Sequence, residues 1–264
     1  MIITNFQQLN TIGITNVFTL QFFLRAYKIG DQGAAILGQE ISKRINLSNL
    51  SMDISENCLF DIGTKNLAFE ISKLKNITTL SLNLSQNDIQ ADQAAQFCSE
   101  ISRCRSLKTL SLDLSGNRIG PDGAHRIGYE FSKITNLNFL NLYLSDNQIG
   151  TQGAQRFAPE IAKLKNLVTL QLDLSNNKIG DDGTQVIGFE TVKLQNIHSL
   201  SLNLIENQIS DLGASRLGQE ISKCQNLTSL NLELQKNNFG DIGTQGLSQK
   251  HLQLKKLVLY SFRK

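Results

Sequence analysis

The stretch Leu80-Ser81-Leu82-Asn83-Leu84-Ser85-Gln86-Asn87-Asp88-Ile89 returns every thirty residues between positions 21 and 260, without insertion or deletion. Copies stand at Leu110–Ile119, Leu140–Ile149, Leu170–Ile179 and Leu200–Ile209, with weaker ones at Leu50–Leu59 and Leu230–Phe239. A fixed period of roughly 20–50 residues marks a solenoid, in which each unit buries its apolar side only against its neighbours. This overrides the usual reading of 264 residues as one large domain or two. It predicts one continuous array over 1–264, with a partial repeat at 1–20, eight repeats at 21–260 and the end of a last strand at 261–264.

Within one unit, Leu110, Leu112 and Leu114 alternate with Thr109, Ser111, Asp113 and Ser115. Period two predicts a short strand with one buried face. Asn117 follows, then Ile119-Gly120, where glycine lets the chain turn off the sheet. Ala124, Ile127, Gly128, Phe131 and Ile134 then share one helical stripe. Asp61, Asp181, Asp211 and Asp241 open the equivalent helices and are placed to cap their first N–H groups. The place of Gly128 is small in every unit (Gly38, Ala68, Cys98, Ala158, Gly188, Gly218, Ser248), which predicts a helix lying close to the sheet. Glu130 and Lys133, repeated from Glu40/Lys43 to Glu220/Lys223, read as a solvated outer face. Each such pair contributes only ~0.2–0.5 kcal/mol.

One strand and one helix per unit, joined in the same sense, give a parallel sheet. Strands stack ~4.8 Å apart and helices ~8–10 Å apart. Bending the stack with the sheet inside meets that mismatch. The expected fold is an α/β right-handed horseshoe of about eight 30-residue repeats, with the parallel sheet concave and the helices convex. Asn57, Asn87, Asn117, Asn147, Asn177, Asn207 and Asn237 hold one place in seven successive units. An amide has both donors and acceptors and can satisfy backbone groups between stacked coils, so this column reads as a structural ladder.

These residues resemble a leucine-rich repeat protein of the ribonuclease-inhibitor type, whose unit reads LxxLxLxxNxLgdxGaxxL before a helix. Leu82-x-Leu84-x-x-Asn87-x-Ile89 matches the centre of that unit, and Ile119-Gly120-x-Asp122-Gly123-Ala124 matches its turn into the helix. Two departures stand out. The strand carries an extra alternating pair, and Gln90 and Gln93 replace both turn glycines in one unit. The resemblance implies protein binding on the concave face. The family also includes Ran GTPase-activating proteins and the sensor regions of nucleotide-binding innate receptors.

Function must then come from side chains that leave the sheet between the leucines. One column runs Asp53, Asn83, Asp113, Tyr143, Asp173, Asn203, Glu233. It is polar and mildly acidic, and the unit with Tyr143 also places Phe139 on that face. Aromatics at an exposed sheet centre are typical contact hot spots. The expected function is a non-catalytic scaffold binding a protein with a basic surface. Regulation of a small GTPase, with Arg118 and Lys178 as rim cations, is the alternative, as is the repeat region of a larger kinase or nucleotide-binding receptor.

Composition limits the other classes. The net charge of +3 is small, and its cations recur in one helical column rather than on a basic nucleic-acid face. His125, His198 and His251 occupy three different columns, none beside a cysteine or paired acids, and no phosphate-cradling GxxxxGK[ST] loop occurs. No catalytic residue, cofactor or metal is expected. Cys58, Cys98, Cys104 and Cys224 show no paired spacing and read as small core residues in a reducing, cytoplasmic setting. No signal peptide or apolar run of ~20 residues is present. Lys255, Lys256, Arg263 and Lys264 flank the apolar residues of the last strand, which predicts a guarded edge and a monomer.

Overall fold

The chain alternates strands and helices along a single stack in a computed structural model that describes residues 1–4, 17–59, 61–248, 254 and 256–264. Among these residues, ten strands form one parallel sheet in chain order. They are β1 (Ile2–Ile3), β2 (Thr19–Phe23), β3 (Asn49–Asp53), β4 (Thr79–Asn83), β5 (Thr109–Asp113), β6 (Phe139–Tyr143), β7 (Thr169–Asp173), β8 (Ser199–Asn203), β9 (Ser229–Glu233) and β10 (Leu259–Arg263). The helices between them are α1 (Gly30–Ser42), α2 (Asp61–Ser72), α3 (Ala91–Ile101), α4 (Gly120–Phe131), α5 (Gly150–Ile161), α6 (Gly180–Thr191), α7 (Asp211–Ile221) and α8 (Asp241–Gly246). Each helix packs on the next, and each strand pairs with the next in unshifted 30-residue register from β2 onward. The result is an α/β horseshoe.

The core lies between the two layers. Leu110, Leu112 and Leu114 point into it from the sheet side, and Ala124, Ile127 and Phe131 from the helix side. Gly120 and Gly180 turn the chain into their helices with φ of +62° and +65°, a left-handed conformation that glycine adopts without a Cβ penalty. Where that glycine is missing, the backbone is extended instead. Gln90 has φ −95° and is locked by a capping box with Gln93, and Ser210 accepts from the Leu212 N–H.

Several expectations need correction. Asp181 and Asp211 do not cap their own helices. Asp181 Oδ1 accepts from the Ser210 N–H at 2.7 Å, and Asp211 Oδ1 from the Gly240 and Gly243 N–H groups at 2.8 and 2.7 Å. Asp31 Oδ1 likewise accepts from the Gly63 N–H at 3.0 Å. Each carboxylate therefore serves the helix start of the following unit, because neighbouring helix starts lie side by side. The Asp61 side chain lies outside the described residues.

The small column faces the neighbouring helix rather than the sheet. A Cβ on Gly128 would lie 3.0 Å from Glu160 Cβ and 3.1 Å from the Phe157 ring. The glutamates of the outer pairs are also largely covered between helices, with only their lysine partners exposed. Cys58 is exposed, unlike Cys98, Cys104 and Cys224. Burial pushes the Cys104 and Cys224 thiols up to about 12, which keeps them protonated and unreactive. Arg44 stands in the column of those two cysteines, buried, with Glu40 3.9 Å away and two guanidinium nitrogens without a partner.

At the ends, β1 pairs with β2 through Ile2 and Gln21, a separation shorter than the 30-residue period. β10 pairs with β9, and its Leu259 is 63% exposed. Most of the partial repeat at 1–20, together with His251 and Lys255, lies outside the described residues.

Candidate functional site

Alternation along the strands sorts side chains to two faces. In β5, Leu110 and Leu112 are buried, whereas Thr109, Ser111 and Asp113 remain half-exposed on the concave side. Register then stacks Asp53, Asn83, Asp113, Tyr143, Asp173, Asn203 and Glu233 as direct neighbours on successive strands. The column is longer than the sequence reading allowed. Phe23 precedes Asp53 on β2, 49% exposed, and Arg263 follows Glu233 on β10. The 30-residue spacing already contained both.

Most of this column also closes a turn at its own strand end. Asp53 Oδ1 accepts from the Ser55 N–H and hydroxyl at 3.2 and 2.7 Å, and Asn83 Oδ1 from those of Ser85 at 3.0 and 2.8 Å. Asp113 accepts from the Ser115 N–H at 2.9 Å, Asp173 from both Ser175 donors, and Asn203 from the Ile205 N–H. Such local bonds are the usual reason for Asp or Asn two residues before a serine in a turn. That spacing was visible in the sequence and unused.

On β9, Glu233 instead accepts from Asn231 Nδ2 at 3.3 Å, and within the middle of the sheet β6 departs from the pattern. Tyr143 supplies no acceptor and stands half-buried between Asp113 and Asp173. Its phenol pKa is raised, first by burial and then by those two carboxylates. Phe139, 45% exposed, sits between Thr109 and Thr169 on the same strand. Four residue steps along the strand set the two positions ~13 Å apart, so they are two contact points with Asn141 between them.

The asparagine column lies just beyond, at the turn. Asn177 Nδ2 donates to the Leu144 and Leu174 carbonyls at 2.8 and 3.1 Å, while its Oδ1 accepts from the Asn147 and Ile149 N–H groups at 3.0 and 3.2 Å. Asn87, Asn117 and Asn207 bridge adjacent units in the same way. Asn57 and Asn147 are buried too, and Asn237 is half-buried.

A family described as leucine-rich repeat matches residues 103–128, 135–158 and 167–188. Among 85 similar solved chains, TLR13 in its complex with ssRNA13 aligns over 97% of this chain and 34% of its own, at 16% identity and TM-score 0.54. Internalin C2 of Listeria monocytogenes aligns over 85% of this chain and 74% of its own, at 23% identity and TM-score 0.49. No curated protein matches the sequence. The stack has the fold of a leucine-rich-repeat solenoid.

Elsewhere on the solenoid, polar groups are largely matched. Arg118 is held by Asp88 at 3.0 Å on the rim, and Lys178 lies exposed two units on. His125 Nδ1 lies 2.9 Å from Arg156 Nη2, and His198 Nδ1 lies 2.7 Å from the Asn196 carbonyl, on different parts of the surface. On the convex side Lys73, Lys133 and Lys193 lie over the rings of Phe69, Tyr129 and Phe189 in alternate units, a pattern the sequence reading missed. Among the described residues no group of His, Cys, Asp and Glu is arranged to hold a metal ion. No helix among them is long and apolar enough to cross a membrane. What this solenoid offers is an open, polar sheet face.

Proposed function

We propose that the protein is a non-catalytic scaffold that binds a protein partner with a basic surface on its concave β face. Within the leucine-rich-repeat proteins we place it with the ribonuclease-inhibitor type, because α1 to α7 are full helices of 11–13 residues. The reading rests on one observation. A polar column bearing Asp53, Asp113, Asp173 and Glu233 is interrupted at β6 by Tyr143, and Phe139 stands on the same face of that strand. Charge of one sign on a concave surface steers an oppositely charged partner, and half-buried aromatics supply contact energy. Carboxylates on that face favour a protein over a nucleic acid. The protein acts as a monomer in the cytoplasm.

Affinity capture with the intact chain, read by mass spectrometry, tests this. Tyr143→Ala is expected to weaken the captured partner by ~2 kcal/mol or more. Asp113→Asn with Asp173→Asn is expected to slow association and flatten its salt dependence. Charge reversal at Lys133 and Lys163, on the helical side, should leave binding intact. Loss of capture with the helical changes alone would move the working surface to the convex side.

A further inference from the structure

The concave acids lack the cations that most acids on the helices have. Along the helices and rim, most acids are ion-paired, among them Glu40, Asp88, Asp92, Glu100, Asp122, Glu130 and Glu220, while Asp146, Asp181 and Asp211 accept from uncharged donors. Among the described residues, Asp113 and Asp173 are in no ion pair. Each commits Oδ1 to its own turn. Among the described residues, the second oxygen of Asp173 accepts only from Asn203 Nδ2 at 2.9 Å, and that of Asp113 has no partner. Tyr143 lies between them in register, with each neighbouring strand ~4.8 Å away. Because Tyr143 provides no turn acceptor, the Ser145 N–H and hydroxyl have no partner among the described residues, in contrast to those of Ser55, Ser85 and Ser175. Two unpaired carboxylates, an aromatic ring and two open donors thus converge on one strand end.

We propose that Tyr143, Asp113 and Asp173 form a socket for a single arginine side chain of the protein partner, with the Ser145 donors taking a carbonyl oxygen of the same partner segment. This rests on the concave-face reading and names its anchor. A guanidinium is planar, stacks on an aromatic ring, and presents N–H groups to carboxylates on both sides. An ammonium is a point charge and serves one carboxylate at a time. The arginine supplies the charge that Asp113 and Asp173 lack, and the carbonyl supplies the acceptor that Asp or Asn provides at the ends of β3, β4, β5, β7 and β8. Phe139, ~13 Å along β6, contacts a more distant part of the same segment.

Selection of a random-peptide display library on the full chain tests the socket. Enriched peptides are expected to share an arginine at one fixed position. Replacing it with citrulline, which is isosteric and neutral, should weaken binding about tenfold. Tyr143→Ala should do the same, whereas Tyr143→Phe should retain binding. Asp113→Asn with Asp173→Asn should weaken the arginine peptide and leave the citrulline peptide unchanged. Peptides without arginine, arginine peptides indifferent to these changes, or a selection without binders would overturn the socket. If such peptides still respond to Ser81→Lys and Ser111→Lys, the concave face binds without it. If they respond only to charge reversal at Lys133 and Lys163, the concave-face reading fails as well.

Discussion

Two columns of Asn and Asp run the length of the solenoid within four residues of each other, and they do opposite work. The ladder column from Asn57 to Asn237 bonds between units, and each amide ties its own turn to that of the unit before. The strand-end column from Asp53 to Glu233 bonds chiefly within its unit, two residues along the chain. An amide that must both donate and accept across a buried seam has no substitute, and that column is asparagine in seven consecutive units. A side chain that need only accept one local bond can be Asp or Asn, and at β6 it is a tyrosine. The seam holds the coil together, and the strand end is left free to vary with what it meets.

Exchanging the residue types should expose this difference most sharply. Asn177→Asp removes the donors to Leu144 and Leu174 and leaves a carboxylate buried. It should cost about 3–5 kcal/mol in urea denaturation, as uncompensated buried charges do. Asn87→Ala and Asn177→Ala come next, at ~1–3 kcal/mol for each backbone group left unpaired. These two should match, because Asn87 makes the same contacts despite the missing glycines at Gln90 and Gln93. A smaller effect at Asn87, which the irregular turn beyond it suggests from sequence, would show the seam weakening there. Asp113→Ala should cost about 1 kcal/mol through the lost Ser115 bond. Asp113→Asn keeps that acceptor and should stay within ~0.5 kcal/mol. A large loss with Asp113→Asn would mean that the strand-end charge also supports the fold.

Much of this architecture is legible in the 30-residue period, since alternating leucines and the stripe from Ala124 to Ile134 state their own faces. The misreadings share a cause. A period along the chain does not say whether a side chain faces its own unit or the next, because residues thirty apart are neighbours in space. Asp181 and Asp211 thus read from sequence as caps of their own helices, although their oxygens reach the following ones. Gly128 was set against the sheet, although Phe157 and Glu160 fill the space beside it. Cys58 follows a turn residue and is exposed, whereas its type suggests core. On the concave face the columns could be named from sequence, but the turn bonds from Asp53 to Ser55 and their absence at Tyr143 required the geometry.

The division of labour can be measured inside one unit, where Tyr143 and Asn147 are a single turn apart. Equilibrium urea denaturation of Tyr143→Ala and Asn147→Ala compares a strand-end position with a ladder position at the same place in the stack. Asn147→Ala should lose at least ~1–3 kcal/mol, since the Ile119 N–H and the Leu114 and Ser145 carbonyls lose their amide partner. Tyr143→Ala should lose less than ~1 kcal/mol, its ring being half-buried and its hydroxyl unbonded. Equal losses, or a larger loss at Tyr143, would contradict the separation of a seam that holds the fold from a face left free to bind.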